Sequence, residues 1–348
     1  MHKPGLEPLI DSIDATAEPP DRRRSILGGL IRGCALLLSG VLLILMTVCY
    51  WQRPDACTFV TLFPAWCWAV VGVAAAAIAF SRRRWLPSTV LAALWFAFLF
   101  TSADSPASLL RGCLPAPQRG TNLRVVSLNC AGISRAAQEV RPFDPDIVLL
   151  QESPSSDALD ALARELYGSS ANLVRGYDAS IVARGRVTAV AVPPEHRENF
   201  VHARVELDGR TINVISLRLS PCPIRLDFWS ADCWRSYRTN RERRRMQLAK
   251  IADYVKTLSA DEPLILGGDF NCPPGDAVVQ LLKPRLTDAF PVAGRGWGAT
   301  IIDVCGWPLI RIDQIWTSRQ LRATCVVARR APSSDHHQVV VDFSLDSR

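Results

Sequence analysis

Three uncharged apolar runs, residues 33–51, 56–80 and 85–103, constrain this chain more than any other feature. Crossing a hydrocarbon layer about 30 Å thick takes roughly 20 residues, and each run is long enough. Pro64 lies near the start of the second run, where a proline is tolerated. Three such runs in one block, flanked by aromatic residues and arginines, are hard to bury in a soluble core. They read as anchors and not as a secretory signal. The basic residues Arg22, Arg23, Arg24 and Arg32 come late, and two further apolar segments follow the first.

Orientation follows from lysine and arginine placement. Lys3 and Arg22–Arg24 precede the first run, and Arg82, Arg83 and Arg84 separate the second from the third. Between the first and second there is only Arg53, near Asp55. The positive-inside rule puts the N-terminus and the second loop in the cytoplasm, and three crossings deliver everything beyond Ala103 to the other side. Residues 1–24, polar and broken by Pro4, Pro8, Pro19 and Pro20, read as a disordered cytoplasmic tail. Residues 25–103 read as three transmembrane helices. Residues 104–121, rich in Ala, Ser, Pro and Gly, read as a tether.

From residue 122 the texture changes to short apolar strands separated by turns. Strands are expected near 123–128, 146–151, 179–183, 187–192, 202–207, 211–219, 264–266, 311–317, 323–328 and 338–343. Helices are expected near 136–140, 157–166 and 240–258. The last has Leu248, Ile251, Val255 and Leu258 on one stripe, and Thr239 and Glu242 at capping-box spacing. About ten strands with few helices predict two packed sheets with helices outside. The formal charge of +7 is spread over both parts of the chain, which permits anionic substrates without demanding nucleic acid.

Polar groups recur where these strands end: Asn129, Glu152, Asp269, Asn271, Asp313 and Asp335–His336. One such residue is usually a turn former. Together they are four carboxylates, two amides and a histidine, oxygen-rich donors that suit Mg²⁺ first, with Mn²⁺ as a substitute. Five histidines with no paired spacing argue against zinc. Cys130 and Cys272 follow Asn129 and Asn271, so alternation points their thiols into the core.

SLNCAG around Asn129, LLQES around Glu152, GGDFN with Asp269 and Asn271, RIDQIW with Asp313, and Ser334–Asp335–His336 resemble, in order, the endonuclease/exonuclease/phosphatase (DNase I-like) superfamily. Arg244 and Gln247 in RRMQ, and Thr300, fit as minor landmarks. The resemblance implies a four-layer α/β/β/α sandwich over residues 122–348, hydrolysing phosphoesters by in-line attack of water. It assigns Glu152, Asp335 and Asn129 to the metal, Asp269 to the attacking water, and Asn271 to a phosphate oxygen. His336 becomes the donor to the phosphoryl group, oriented by Asp313. The implied substrates are phosphodiesters, with nucleic acid and phospholipid headgroups both open.

Two stretches depart from the family pattern. Many members carry a histidine where this chain has Arg218, which could clamp a substrate phosphate. Residues 220–245 interleave Cys222, Trp229, Cys233, Trp234 and Tyr237 with seven arginines, which suits either a nucleic-acid or headgroup grip or a packed loop. In that stretch Arg244 shares the inward stripe with Leu248, and Cys222 and Cys233 could close a disulfide. The expected protein is a membrane-anchored, Mg²⁺-dependent phosphoesterase. The alternative is a catalytically silent, membrane-bound binding module that keeps the fold.

Overall fold

The computed structural model describes residues 22–102, 105–115, 123–169, 172–194, 200–223, 225–227, 229–304 and 307–345. The expected disordered tail, up to residue 21, and residues 104 and 116–121 of the expected tether lie outside the described residues.

The apolar block folds as α1 (Arg22–Gln52), α2 (Thr58–Leu62), α3 (Ala65–Ala79) and α4 (Trp85–Ser102). Two helical segments, Ile26–Gln52 and Trp85–Ser102, are long and apolar enough to cross a membrane. The second run departs from the expected straight span. Pro64 caps α3 in an extended conformation, and the segment Asp55–Leu62 turns 79° away from Ala65–Ala79. A proline disfavours helical geometry at the residue before it, so the run splits there. The 15 residues of α3 make a helix about 22 Å long.

These helices pack against one another through small residues. Ser39 donates to the Gly72 carbonyl at 2.9 Å and accepts from the Trp95 indole at 3.1 Å. A Cβ on Gly72 would lie 1.9 Å from that indole. Arg84 donates to the Gly29 carbonyl at 3.0 Å, so the α3–α4 loop meets the beginning of α1. Tyr50 and Phe98 meet edge to face at 5.4 Å at the opposite end. The helices α1, α3 and α4 therefore alternate in direction.

The second part contains α5 (Ser105–Gly112), α6 (Ser134–Gln138), α7 (Ser156–Tyr167), α8 (Ala231–Thr257) and α9 (Ala289–Ala293). Its strands are β1 (Leu123–Asn129), β2 (Ile147–Gln151), β3 (Leu173–Arg175), β4 (Ala179–Ala183), β5 (Arg186–Ala189), β6 (Phe200–Leu207) and β7 (Arg210–Arg218). The series continues with β8 (Leu264–Asp269), β9 (Thr287–Asp288), β10 (Ile301–Val304), β11 (Trp307–Ile310), β12 (Asp313–Thr317), β13 (Leu321–Arg330) and β14 (His337–Leu345).

Two six-stranded sheets form, in the orders β13-β14-β1-β2-β4-β3 and β5-β6-β7-β8-β12-β9. Alternate residues such as Val125, Leu149, Ile181, Ala203, Val214 and Ile315 fill the space between them. The opposite face of the second sheet packs Ile215, Leu217 and Leu266 on Leu248, Ile251 and Val255 of α8. The opposite face of the first sheet packs Val126, Leu128 and Leu150 on α6 and α7. The four layers are helix, sheet, sheet, helix, as expected.

Strand direction gathers the site. Parallel β1 and β2 place Asn129 opposite Gln151, and parallel β7 and β8 place Arg218 opposite Asp269. Antiparallel β12 begins with Asp313 opposite Asp269, and β14, antiparallel to β1, begins just after His336.

Three expectations are corrected here. The tether is not slack over its described length. There α5 docks beside α9, with Ser108 and Gly296 exchanging backbone and side-chain bonds at 2.8 and 2.9 Å and Arg111 donating to the Gly294 carbonyl at 2.8 Å. Helix α8 starts at Ala231, well before the expected 240. Its N-cap is Ser230, so the Thr239–Glu242 spacing falls inside the helix. The extra turns are held by buried Cys233, Tyr237 and Arg241, which pack against α2 and the segment before it and escape an aliphatic-stripe reading. Cys222 and Cys233 are free thiols, both packed in the apolar cluster around Leu62.

Candidate active site

The glycine pair before Asp269 lets β8 run where it does. Gly268 has φ +138°, and a Cβ there would lie 2.0 Å from the Leu217 carbonyl oxygen. Beyond the strand ends, Ala131, Glu152 and Asn271 all adopt positive φ, at 50°, 43° and 50°. Left-handed backbone at non-glycine residues carries a conformational cost and clusters at functional sites.

Asn129 ties the two sheets together. Its Nδ2 donates at 3.0 Å to Glu152 Oε1 and at 3.0 Å to Asp269 Oδ2, while its Oδ1 accepts from the Ala131 amide at 2.9 Å. The amide nitrogen faces the carboxylates and the carbonyl faces the backbone. Asn129 is thereby placed as a bridge between the two carboxylates. Asn271 closes the other side. Its backbone N–H donates to Asp269 Oδ1 at 2.8 Å, and its Nδ2 donates to Asp269 Oδ2 and the Leu219 carbonyl at 2.9 Å each.

His336 and Asp313 form a buried pair, Nδ1 to Oδ2 at 2.9 Å. Ser334 accepts from the His336 N–H at 3.0 Å and donates to the Asn129 carbonyl at 2.6 Å, fixing the turn. Thr300 Oγ1 accepts from the backbone N–H groups of Ile312 and Asp313 at 3.1 and 3.2 Å. Gln247 accepts from the Ser220 N–H at 2.9 Å, and Arg244 is buried, so these landmarks are structural.

Arg218 lies among carboxylates. It donates at 2.7 Å to both Glu152 Oε1 and Asp178 Oδ2, and its Nε is 4.0 Å from Asp269 and has no hydrogen-bond partner. Asp178 escaped the sequence reading. The available signal was a carboxylate one residue before β4, which runs antiparallel to the strand leading to Glu152. Asp335 is exposed and makes no hydrogen bond among the described residues. Six of the expected residues, Asn129, Glu152, Asp269, Asn271, Asp313 and His336, are brought together with Arg218, and Asp335 stands at their rim.

The electrostatics are lopsided. Arg218 and His336 are set against Glu152, Asp178, Asp269, Asp313 and Asp335. Burial, then Asp313, pushes the Asp269 carboxyl upward. Burial opposes the His336 charge, but Asp313 and then Asp269 outweigh it and hold the imidazole up at about 10. Ligand atoms of Asp269, Asp313 and His336 lie within 4.8 Å of one another, and Asp313 Oδ1 is buried without a partner. Excess carboxylate oxygen, with one atom unmatched, fits a hard divalent cation. Burial also drives the Cys130 thiol up to about 12 and the Cys272 thiol well upward, so neither is a nucleophile.

The profile of the endonuclease/exonuclease/phosphatase family matches residues 126–336. No curated protein matches the chain. Truncated TDP2 from Caenorhabditis elegans is 17% identical, over 65% of this chain and 98% of that one, with a TM-score of 0.48. A family protein from Beutenbergia cavernae is 19% identical, over 65% and 72%, with a TM-score of 0.48. Another from Bacteroides thetaiotaomicron is 17% identical, over 66% and 100%, with a TM-score of 0.49. With its profile match running from β1 to His336, this chain belongs to the endonuclease/exonuclease/phosphatase family.

Proposed function

We propose that the protein is a membrane-anchored, divalent-metal-dependent phosphoesterase that hydrolyses phosphodiesters by in-line attack of water. The observation that supports it most is the excess of carboxylates over cations, with Glu152, Asp178, Asp269 and Asp313 gathered about Arg218 and His336. Glu152 and Asp335 would hold the ion, Mg²⁺ first and Mn²⁺ as substitute. When bound, it supplies charge stabilisation at the phosphoryl oxygens. Asp269 orients and deprotonates the attacking water, held for that task by Asn129 and Asn271. His336, aligned by Asp313, donates from Nε2 to a non-bridging oxygen or to the leaving group. Arg218 holds Glu152 and would supply a guanidinium to the substrate phosphate.

In this reading α3, though short, completes three crossings, because α1, α3 and α4 alternate in direction. The catalytic domain then stands opposite the cytoplasmic N-terminus, and a reporter fused after residue 103 that works only in the cytoplasm would overturn that orientation. A second reading, a silent module, is favoured by one observation: Arg218 already neutralises part of Glu152. The deciding experiment assays the reconstituted full chain with Mg²⁺ against DNA, RNA, phospholipid vesicles and bis(p-nitrophenyl) phosphate, with Asp269→Ala as control. Hydrolysis above that control is expected, and its absence on all substrates would favour the silent module.

A further inference from the structure

The connection between α1 and α3 is packed into the catalytic end of the domain. Leu62 and Phe59 join Cys233, Tyr237, Ile310 and Ile312 in one apolar cluster, and Ile312 immediately precedes Asp313. The Phe59 ring meets Trp234 and Tyr237 edge on, at 5.4 and 5.6 Å. Beneath it lies Arg241, fully buried. It donates to Asp276 at 2.9 Å, and to the Pro54 carbonyl and Thr58 Oγ1 at 3.1 Å each. Asp276 ends the turn that follows Asp269 and Asn271, and Arg245 adds a bond to Asp55 at 2.8 Å.

Distance along the chain then bounds the height of the site. Leu62 is three residues from the first residue of α3, at most about 10 Å of extended chain. The headgroup layer on each side of a bilayer is roughly 5–7 Å thick. Leu62 touches the cluster that contains Ile312, and Asp313 is the next residue. The catalytic end thus sits beside the headgroup layer, given that α1 and α3 lie in the membrane. The loop after β7 continues this surface. Tyr237 OH donates to the Arg225 carbonyl at 2.8 Å and accepts from the Arg225 N–H at 2.7 Å. Next to this pinned residue, Leu226 and Trp229 are 61% and 80% exposed. Tryptophan in such a place suits a membrane interface.

We infer that the loop carrying Leu226 and Trp229 rests on the lipid surface and that the site takes its phosphoester from lipid held in that bilayer. This rests on the phosphoesterase reading above.

The test uses the full chain in phosphatidylcholine vesicles carrying in turn phosphatidylglycerol, phosphatidylinositol and sphingomyelin. Deacylated, water-soluble counterparts, a short DNA duplex and bis(p-nitrophenyl) phosphate serve as comparisons. At least one lipid is expected to exceed its soluble counterpart tenfold or more in kcat/KM. Leu226→Asp with Trp229→Asp should lower that preference at least fivefold and leave bis(p-nitrophenyl) phosphate turnover unchanged. Brominated lipids should quench tryptophan emission less in Trp229→Phe than in the parent. Soluble counterparts or DNA turned over as fast as the lipids, or quenching unaltered by Trp229→Phe, would overturn the inference and leave the phosphoesterase reading standing. Hydrolysis of nothing, bis(p-nitrophenyl) phosphate included, would remove both.

Discussion

Around Arg241, two arginines meet two carboxylates: Arg241 bonds Asp276 and faces Asp55, and Arg245 bonds Asp55. Around Arg218, one arginine and one histidine meet five carboxylates, and Arg218 and Glu152 remain partly open to solvent. Both clusters belong to the same end of the domain and use the same side-chain chemistry. The first pairs two arginines with two carboxylates, Arg241 and Asp276 fully buried and Arg245 and Asp55 partly open, which suits holding two parts of a chain together. The second is left in deficit of positive charge at strained backbone, which suits binding something that supplies that charge. Charge balance, more than the presence of arginine, separates fastening from chemistry.

The largest effect that would sharpen this contrast is at Asp269. Asp269→Asn should lower turnover about 10²–10⁴-fold, as expected for loss of a general base. Its thermal midpoint in detergent should stay the same or rise, because a crowded buried carboxylate is removed. A large loss of stability would instead make Asp269 structural. Arg241→Met should do the reverse and destabilise by about 3–5 kcal/mol, since it leaves Asp276 charged and unpaired. Adding Asp276→Leu should restore much of that, and failure of the double variant to recover would break the one-to-one reading.

His202 offers a buried histidine without a carboxylate partner, to be set against His336. It lies between the Tyr254 hydroxyl at 2.8 Å and Asn213 Oδ1 at 3.0 Å, and burial brings its pKa down to about 4. A value depressed below the unfolded one favours the neutral form, so its stabilisation is complete above about pH 6.5. It falls away as pH drops toward 4, by on the order of 3 kcal/mol. Urea midpoints across that window should flatten in His202→Gln.

Mg²⁺ at a hundredfold its Kd should stabilise the protein by about 2.7 kcal/mol, and the gain should vanish in Glu152→Gln. Calorimetric titration checks this, and an undiminished gain in the variant would move the ion elsewhere. The smallest effect is expected for Arg218→Ala: turnover lower by roughly 10–100-fold, about 1.4–2.7 kcal/mol, with Mg²⁺ binding tighter because a competing cation is gone. Unaffected turnover would end the case for Arg218 on the phosphate.

Much of the sandwich was legible because its strands alternate and its site residues cluster at strand ends. Asn129, Asp269, Asn271 and Asp313 are each marked by an apolar run that stops or starts beside them. The direction of the Asn129 amide was not legible, because it is decided by the Ala131 N–H on a left-handed turn. Asp178 was hidden because a lone carboxylate before a strand carries no local signature, and only the β2–β4 pairing brings it to Arg218. The start of α8 was missed because its first turns are buried by arginine, tyrosine and cysteine against α2. That choice is tertiary, and an aliphatic stripe cannot report it.

The docking of α5 has a mechanical consequence. Ser108 and Arg111 fasten the chain just beyond α4 to the α9 side of the domain, while α2 fastens α8. A body joined to a support at one point can swivel, whereas one joined at two separated points keeps only the hinge axis through them. With the short α5 engaged along its length, that axis is stiff as well. The mouth of the site therefore holds one bearing relative to the apolar helices, and the orientational part of any encounter there falls to the substrate.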